Sequence, residues 1–188
     1  MFTKNINAVL EELKEIASNI SEKETEEFEN AVLKADRIFV AGCGRSLLMI
    51  RSFAMRLMQM GFTAYVVGEN VTPGIREGDL LIIASGSGET GTLKVIAKNA
   101  EKAGAKITLI TTNPDSSIAG MSDCVVTVRT NTPKLGSNIG IKPSVQPGAS
   151  SFEQSVLLIC DAVIIDLGSS KDIGELNSGL MQLHANLE

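Results

Sequence analysis

The chain has 188 residues, 44% hydrophobic and 21% charged, with a net charge of −5 at neutral pH. That length suits one domain with a substantial core. The acidic balance and the few aromatics (six Phe, one Tyr, no Trp) argue against nucleic acid as a partner and against stacking platforms for bases. Cys43, Cys124 and Cys160 are odd in number, widely spaced and free of any CxxC pairing, which reads as reduced core thiols rather than a disulfide framework or a zinc site. The N-terminus is a charged amphipathic pattern, not a signal peptide. No run reaches the ~18 apolar residues that a bilayer span needs. The expectation is a cytoplasmic protein without membrane contact.

Taken in chain order, residues 3–20 place Ile6, Val9, Leu10, Leu13, Ile16, Ala17 and Ile20 on one helical stripe. Ser21 followed by Glu24 forms a capping-box pattern, which opens a second helix running to about Ala35. This pair precedes any strand and reads as an appendage for packing against another subunit. Strands follow at 37–42, 63–67, 79–84, 106–111 and 123–128, rich in Val, Ile and Thr. Helices lie between them at 46–60 and 91–103, with a short one near 115–121. Gly61 and Gly104 stand where helix-ending glycines belong.

Such alternation predicts an α/β fold, a three-layer α-β-α sandwich with a five-stranded parallel sheet of flavodoxin-like kind. The whole chain, 1–188, reads as one domain. It comprises N-terminal helices over 1–35, an α/β core over 36–168 and a C-terminal helix and tail over 169–188. In the helix 46–60 the polar residues Arg51, Ser52, Arg56 and Gln59 share a sector of about 140°. Its methionines Met49, Met55, Met58 and Met60 fit either core filling or an oligomer interface. The stretch 130–150 loses all periodicity, which in a compact domain often marks function. It leads into an apolar helix at 151–168, and a last amphipathic segment at 172–183 runs out into His184-Ala185-Asn186-Leu187-Glu188.

Two strand ends share one design. After the first strand comes Gly42-Cys43-Gly44-Arg45-Ser46, and after the third comes Ser85-Gly86-Ser87-Gly88-Glu89-Thr90. Glycines and hydroxyls between a strand and a helix offer backbone N–H and Ser/Thr donors to an anion. Both loops fall on the carboxyl edge of the sheet, where ligands bind in such folds. The second loop has no Lys or Arg, so it suits neutral donors and a helix dipole. A dinucleotide fingerprint fails because Leu47 occupies its third small position, despite Glu69 near the next strand end. A Walker motif fails because Thr92 follows Gly91 where a lysine is needed. Ser46, Ser85, Ser87 and Thr90 also suit plain helix capping. Arg45 is either an extra cation for the anion or an ordinary surface residue. Ser150-Ser-Phe-Glu153 is itself a capping box, which would give Glu153 a purely structural role.

Ala41-Gly-Cys-Gly-Arg-Ser46, Ser52-Phe-Ala-Met-Arg-Leu57, Gly86-Ser-Gly-Glu-Thr90, Gln146-Pro-Gly148, Phe152-Glu-Gln154 and His184-Ala-Asn-Leu-Glu188 together resemble the sugar isomerase (SIS) domain. Within it they resemble the 6-phospho-3-hexuloisomerase family. The serine loop alone specifies only the broad domain; the Phe-Glu-Gln segment and the tail narrow it. Cys43 departs from the small residue expected there.

The resemblance implies an aldose/ketose-type intramolecular oxidoreductase. It would interconvert D-arabino-3-hexulose 6-phosphate and D-fructose 6-phosphate through an enediol, in the ribulose monophosphate route of formaldehyde fixation. Glu153 would be the base and His184 an auxiliary acid/base. Arg45, Ser46, Ser85, Gly86, Ser87, Gly88, Glu89 and Thr90 would form the phosphate-binding set. No metal and no redox cofactor are implied. The implied associations are a homo-oligomer (dimer or tetramer, a homotetramer among them), in which the tail reaches a neighbouring pocket, and a hexulose-phosphate synthase as functional partner. Two other readings stay open: a phosphosugar isomerase of the arabinose 5-phosphate type, or a non-catalytic phosphosugar sensor.

Overall fold

Aliphatic runs that are buried on both faces can only satisfy their backbone in the interior of a sheet. In the computed structural model, which describes residues 1–130, 143–169 and 172–187, three such runs and two less buried edge strands form one sheet. The strands are β1 (Ile38–Gly42), β2 (Ala64–Val66), β3 (Leu80–Ala84), β4 (Lys106–Thr111) and β5 (Cys124–Thr127). They run parallel in the order β2-β1-β3-β4-β5. The chain therefore winds outward from β1 in one direction to β2 and in the other through β3 to β5. The switch falls between β1 and β3, the two strands that carry the Ser/Gly loops.

Around the sheet lie α1 (Phe2–Ala17), α2 (Glu22–Lys34), α3 (Arg45–Gln59), α4 (Gly91–Lys102), α5 (Ser150–Leu167) and α6 (Ile173–Gln182). Period-2 alternation sorts the strand residues into two cores. Ile38, Val40, Leu80 and Ile82 face Phe53 and Leu57 of α3, Phe152 and Val156 of α5, and Phe28 and Val32 of α2. Phe39, Ala41, Leu81 and Ile83 face Leu93, Ala97 and Ala100 of α4. The expected three-layer α/β sandwich is the observed one.

Several local expectations need correction. The N-terminal pair is no appendage, because Ile16, Phe28 and Val32 belong to the first core. The capping box of α2 is only half formed. Ser21 Oγ accepts the Glu24 amide at 3.4 Å, but the Glu24 carboxylate instead takes the Thr127 amide at 2.7 Å, pinning α2 to β5. On α3 the polar sector is not wholly outside. Gln59 is buried, its side-chain oxygen accepting from Arg56 at 2.7 Å, while Leu48, Met55 and Met58 are exposed. Met49 and Met60 pack against the core. The short helix near 115–121 contracts to a single 3₁₀ turn, Ala119–Met121. Cys124 and Cys160 are buried thiols as expected, and burial pushes Cys124 up to about 11, but Cys43 is exposed. Within 130–150, residues 131–142 lie outside the described residues. No helix among the described residues is long and apolar enough to cross a membrane.

Candidate functional site

Each arm of the site begins where a strand ends. β1 stops at Gly42, and Gly44 turns the chain into α3 at φ 57°, a left-handed conformation that glycine adopts without strain. β3 stops at Ala84, and residues 85–90 carry the chain into α4. The third arm is the start of α5. All three meet at a cavity of about 290 Å³. Gly44, Arg45 and Ser46 line it from the first loop, Ser85, Gly86, Ser87 and Thr90 from the second, and Ala149, Phe152 and Glu153 from α5. It lies at the switch between β1 and β3, where this topology leaves room for a ligand. Larger hollows exist among the described residues, including one of about 540 Å³ beside α1 and one of about 810 Å³ at the amino edge of the sheet. Size does not single out the site; the convergence of donors does.

None of the three helices that begin here has a side-chain cap. The N-cap residues are Gly44, Thr90 and Ala149, each without a side-chain hydrogen bond. Away from the cavity, α2 is capped by Ser21, and α6 by Asp172, which accepts the Gly174 and Glu175 amides. The first-turn amides of a helix have no intrahelical acceptor, and its dipole adds a partial positive charge. Three such ends meeting at one hollow make an anion site.

The second loop is fixed by turning its carbonyls away. Gly86 O accepts from Thr111 Oγ1 (3.1 Å), from Thr112 Oγ1 (2.8 Å) and from the Thr112 amide (3.0 Å). Ser87 O accepts from Asn113 Nδ2 at 3.3 Å. The buried hydroxyls of Ser85 and Ser87 accept the Gly88 and Glu89 amides, each at 3.2 Å. A hydroxyl that accepts in this way keeps its own proton for a ligand oxygen.

Gly88 and Glu89 do not line the cavity. Gly88 has φ 64°, and a Cβ there would stand 1.9 Å from Ser116 Oγ, so only glycine fits against that turn. The Glu89 carboxylate points to the same turn, accepting from the Ser117 amide (2.6 Å), the Ser117 hydroxyl (2.8 Å) and Lys94 Nζ (3.1 Å). Those bonds, the Ser117 amide first, pull its pKa down to about 2. Glu89 is a strut under the loop.

Glu153 is not a capping residue. α5 starts one residue earlier than its capping pattern suggests, Ala149 takes the N-cap position, and Ser150 Oγ donates to Pro147 O at 2.8 Å instead. Released from the helix end, the Glu153 carboxylate lines the cavity and forms an ion pair with Arg45 Nε. Its side chain is 12% exposed, that of Arg45 59%. Arg45 thus sits at the cavity as a cation, in contact with the carboxylate rather than standing alone. His184 does not join this group. It lies beyond α6 on the surface, its Nδ1 3.1 Å from Ala185 O, and is absent from the cavity lining.

Residues that sequence reasoning missed include Cys43, whose Sγ lies 3.6 Å from Thr92 Oγ1 at the cavity rim. Phe152, fully buried, supplies an apolar wall. Thr111, Thr112 and Ser117 support the loop from distant sequence positions, and no local pattern announces such a role. Among the described residues no three His, Cys, Asp or Glu side chains gather closely enough to hold a metal ion.

The SIS domain profile matches residues 31–161. The chain is 43% identical to the 3-hexulose-6-phosphate isomerase of Bacillus subtilis (strain 168), over 99% of this chain and 98% of that one. It is 39% identical to the 3-hexulose-6-phosphate isomerase of Mycobacterium gastri, over 99% and 91% of the two chains. A crystal structure from Methanococcus jannaschii, whose description infers a 3-hexulose-6-phosphate isomerase function, superposes with a TM-score of 0.79 at 31% identity, covering 98% of this chain and 97% of that one.

Proposed function

The chain belongs to the SIS domain family, and from that premise we propose that it is an isomerase interconverting D-arabino-3-hexulose 6-phosphate and D-fructose 6-phosphate. The observation that carries the reading is the placement of one carboxylate, Glu153, in the same cavity as three uncapped helix N-termini and the Ser85 and Ser87 hydroxyls. The helix ends, with Ser46, Ser85, Ser87, Thr90 and Arg45, hold the phosphate. Glu153 takes the proton from C2 of the 3-keto sugar, and the electron pair moves to give the 2,3-enediol. Glu153 exchanges that proton with solvent and delivers one at C3 while the C2 hydroxyl loses its own, leaving the carbonyl at C2. Every step is reversible and no electron leaves the substrate.

An acid/base group serves the oxygens during the enediol stage, and His184 is assigned that role from a neighbouring copy of the chain. The reason for that assignment is that His184 is exposed beyond α6 and does not line the cavity of its own chain. The implied substrate source is a hexulose-phosphate synthase.

Replacing Glu153 by Gln removes the base while keeping size. Since a positioned base is worth roughly 10² to 10⁴ in rate, kcat of Glu153→Gln should fall in that range. The melting temperature should be nearly unchanged. Near-normal turnover on 3-hexulose 6-phosphate would remove Glu153 from the chemistry.

A further inference from the structure

The base and the phosphate grip sit on different elements, yet the reaction fixes how far apart they must act. The phosphate is bonded at C6, and the proton moves between C2 and C3. Both arms are tied to the carboxyl end of β4. On one side, Thr111 and Thr112 hold the Gly86 carbonyl and with it the serine loop. On the other, the Thr111 carbonyl accepts the Val128 amide at 2.8 Å, and Val128 O accepts the Thr130 amide at 2.9 Å. Thr130 Oγ1 then meets Ser151 Oγ at 2.7 Å. Ser151 is in the first turn of α5, two residues before Glu153, and its carbonyl accepts from Ser155 Oγ at 2.7 Å.

This clasp is buried throughout: Thr130 is 3% exposed, Ser151 1% and Ser155 3%. It stands where a capping side chain would otherwise fix the helix start, since Ala149 supplies none. A buried hydroxyl pair is directional, and removing one partner strands the other. Apolar packing alone would hold α5 against the sheet without fixing its rotation or its rise.

We propose that the Thr130–Ser151 hydroxyl pair is a positioning device for the reaction, setting the placement of Glu153 relative to the phosphate grip through the shared β4 anchor. Neither residue lines the cavity; both act through Glu153. The inference rests on the isomerase reading given above.

The test compares the full-length wild type with Thr130→Val, Thr130→Ser and Ser151→Ala, measuring kcat, KM, the inhibition constant of inorganic phosphate and the melting temperature. Valine keeps the shape of threonine and removes the hydroxyl; serine keeps the hydroxyl and removes the methyl. Displacement of a catalytic group by about 1 Å costs up to ~100-fold in rate. Thr130→Val and Ser151→Ala should therefore lose ~10- to 100-fold in kcat, with the phosphate inhibition constant unchanged, and Thr130→Ser should recover most of it. Should Thr130→Val not fold, Ser151→Ala and Thr130→Ser carry the comparison. Melting temperatures that fall while kcat of the folded variants matches wild type would overturn the proposal, as would a loss of kcat matched by weaker phosphate binding. An active wild type with unaffected variants refutes the clasp alone. An inactive wild type refutes the isomerase reading and the clasp with it.

Discussion

Glu89 gives the site a pH signature that does not pass through the chemistry. Its carboxylate has an ordinary value near 4.5 and is held at about 2 in the folded chain, by the Ser117 amide and hydroxyl and then by Lys94. A carboxyl depressed by folding adds stability that is fully present above its unfolded value and lost as pH falls through the folded one. The window is therefore pH 4.5 down to about 2. Urea midpoints of Glu89→Gln should fall less steeply than wild type across that window, and the curves should converge at its acid end. Parallel curves would mean the strut contributes nothing. The role of Glu89 was not legible in the sequence, because Ser117 lies 28 positions away. Glu153 was half legible. Its capping pattern is real as letters, but the helix begins at Ser150 and the carboxylate turns to Arg45 instead. The serines of the second loop were legible in full as cavity residues, since strand, glycine and hydroxyl occur in one local run.

At the scale of elements, the Gly88 turn joins the serine loop to the turn before the 3₁₀ segment, and Gly88 O accepts the Ile118 amide at 3.2 Å. Gly88→Ala combines a left-handed φ with a Cβ placed 1.9 Å from Ser116 Oγ. It should destabilise the fold by ~2 kcal/mol or more, measured by chemical denaturation. A loss below about 0.5 kcal/mol, the scale of a neutral surface change, would contradict that. The strands were readable to within a residue or two because buried parallel strands are continuous aliphatic runs bounded by glycines. β3, Leu-Leu-Ile-Ile-Ala, is the clearest case, buried at every position. The partners of Glu24 were not readable. A capping pattern states what a side chain can do locally, and the Thr127 amide 103 positions away competes for it. The same tertiary competition buries Gln59 while leaving Met55 and Met58 outside.

For the whole molecule, one histidine and one cavity carboxylate sit apart in the single chain. If His184 serves the cavity of a neighbouring copy, Glu153→Gln and His184→Ala protein should complement when their subunits are exchanged. Some hybrid cavities then hold both native groups, and turnover should rise above that of either variant alone. Verified exchange with no gain would place His184 outside the chemistry. The exposed apolar side chains of α3 and α6, Leu48, Met55, Met58, Ile173 and Met181 among them, are consistent with such assembly. The proposed reaction moves a carbonyl along a hexulose 6-phosphate by way of an enediol. Its most direct test is proton NMR of D-fructose 6-phosphate incubated with the purified protein in D₂O, with Glu153→Gln in parallel. The 3-keto isomer and deuterium at carbon should appear with the wild type, and both should be lost with the variant. A sugar phosphate that binds yet shows neither conversion nor exchange would contradict the proposed reaction.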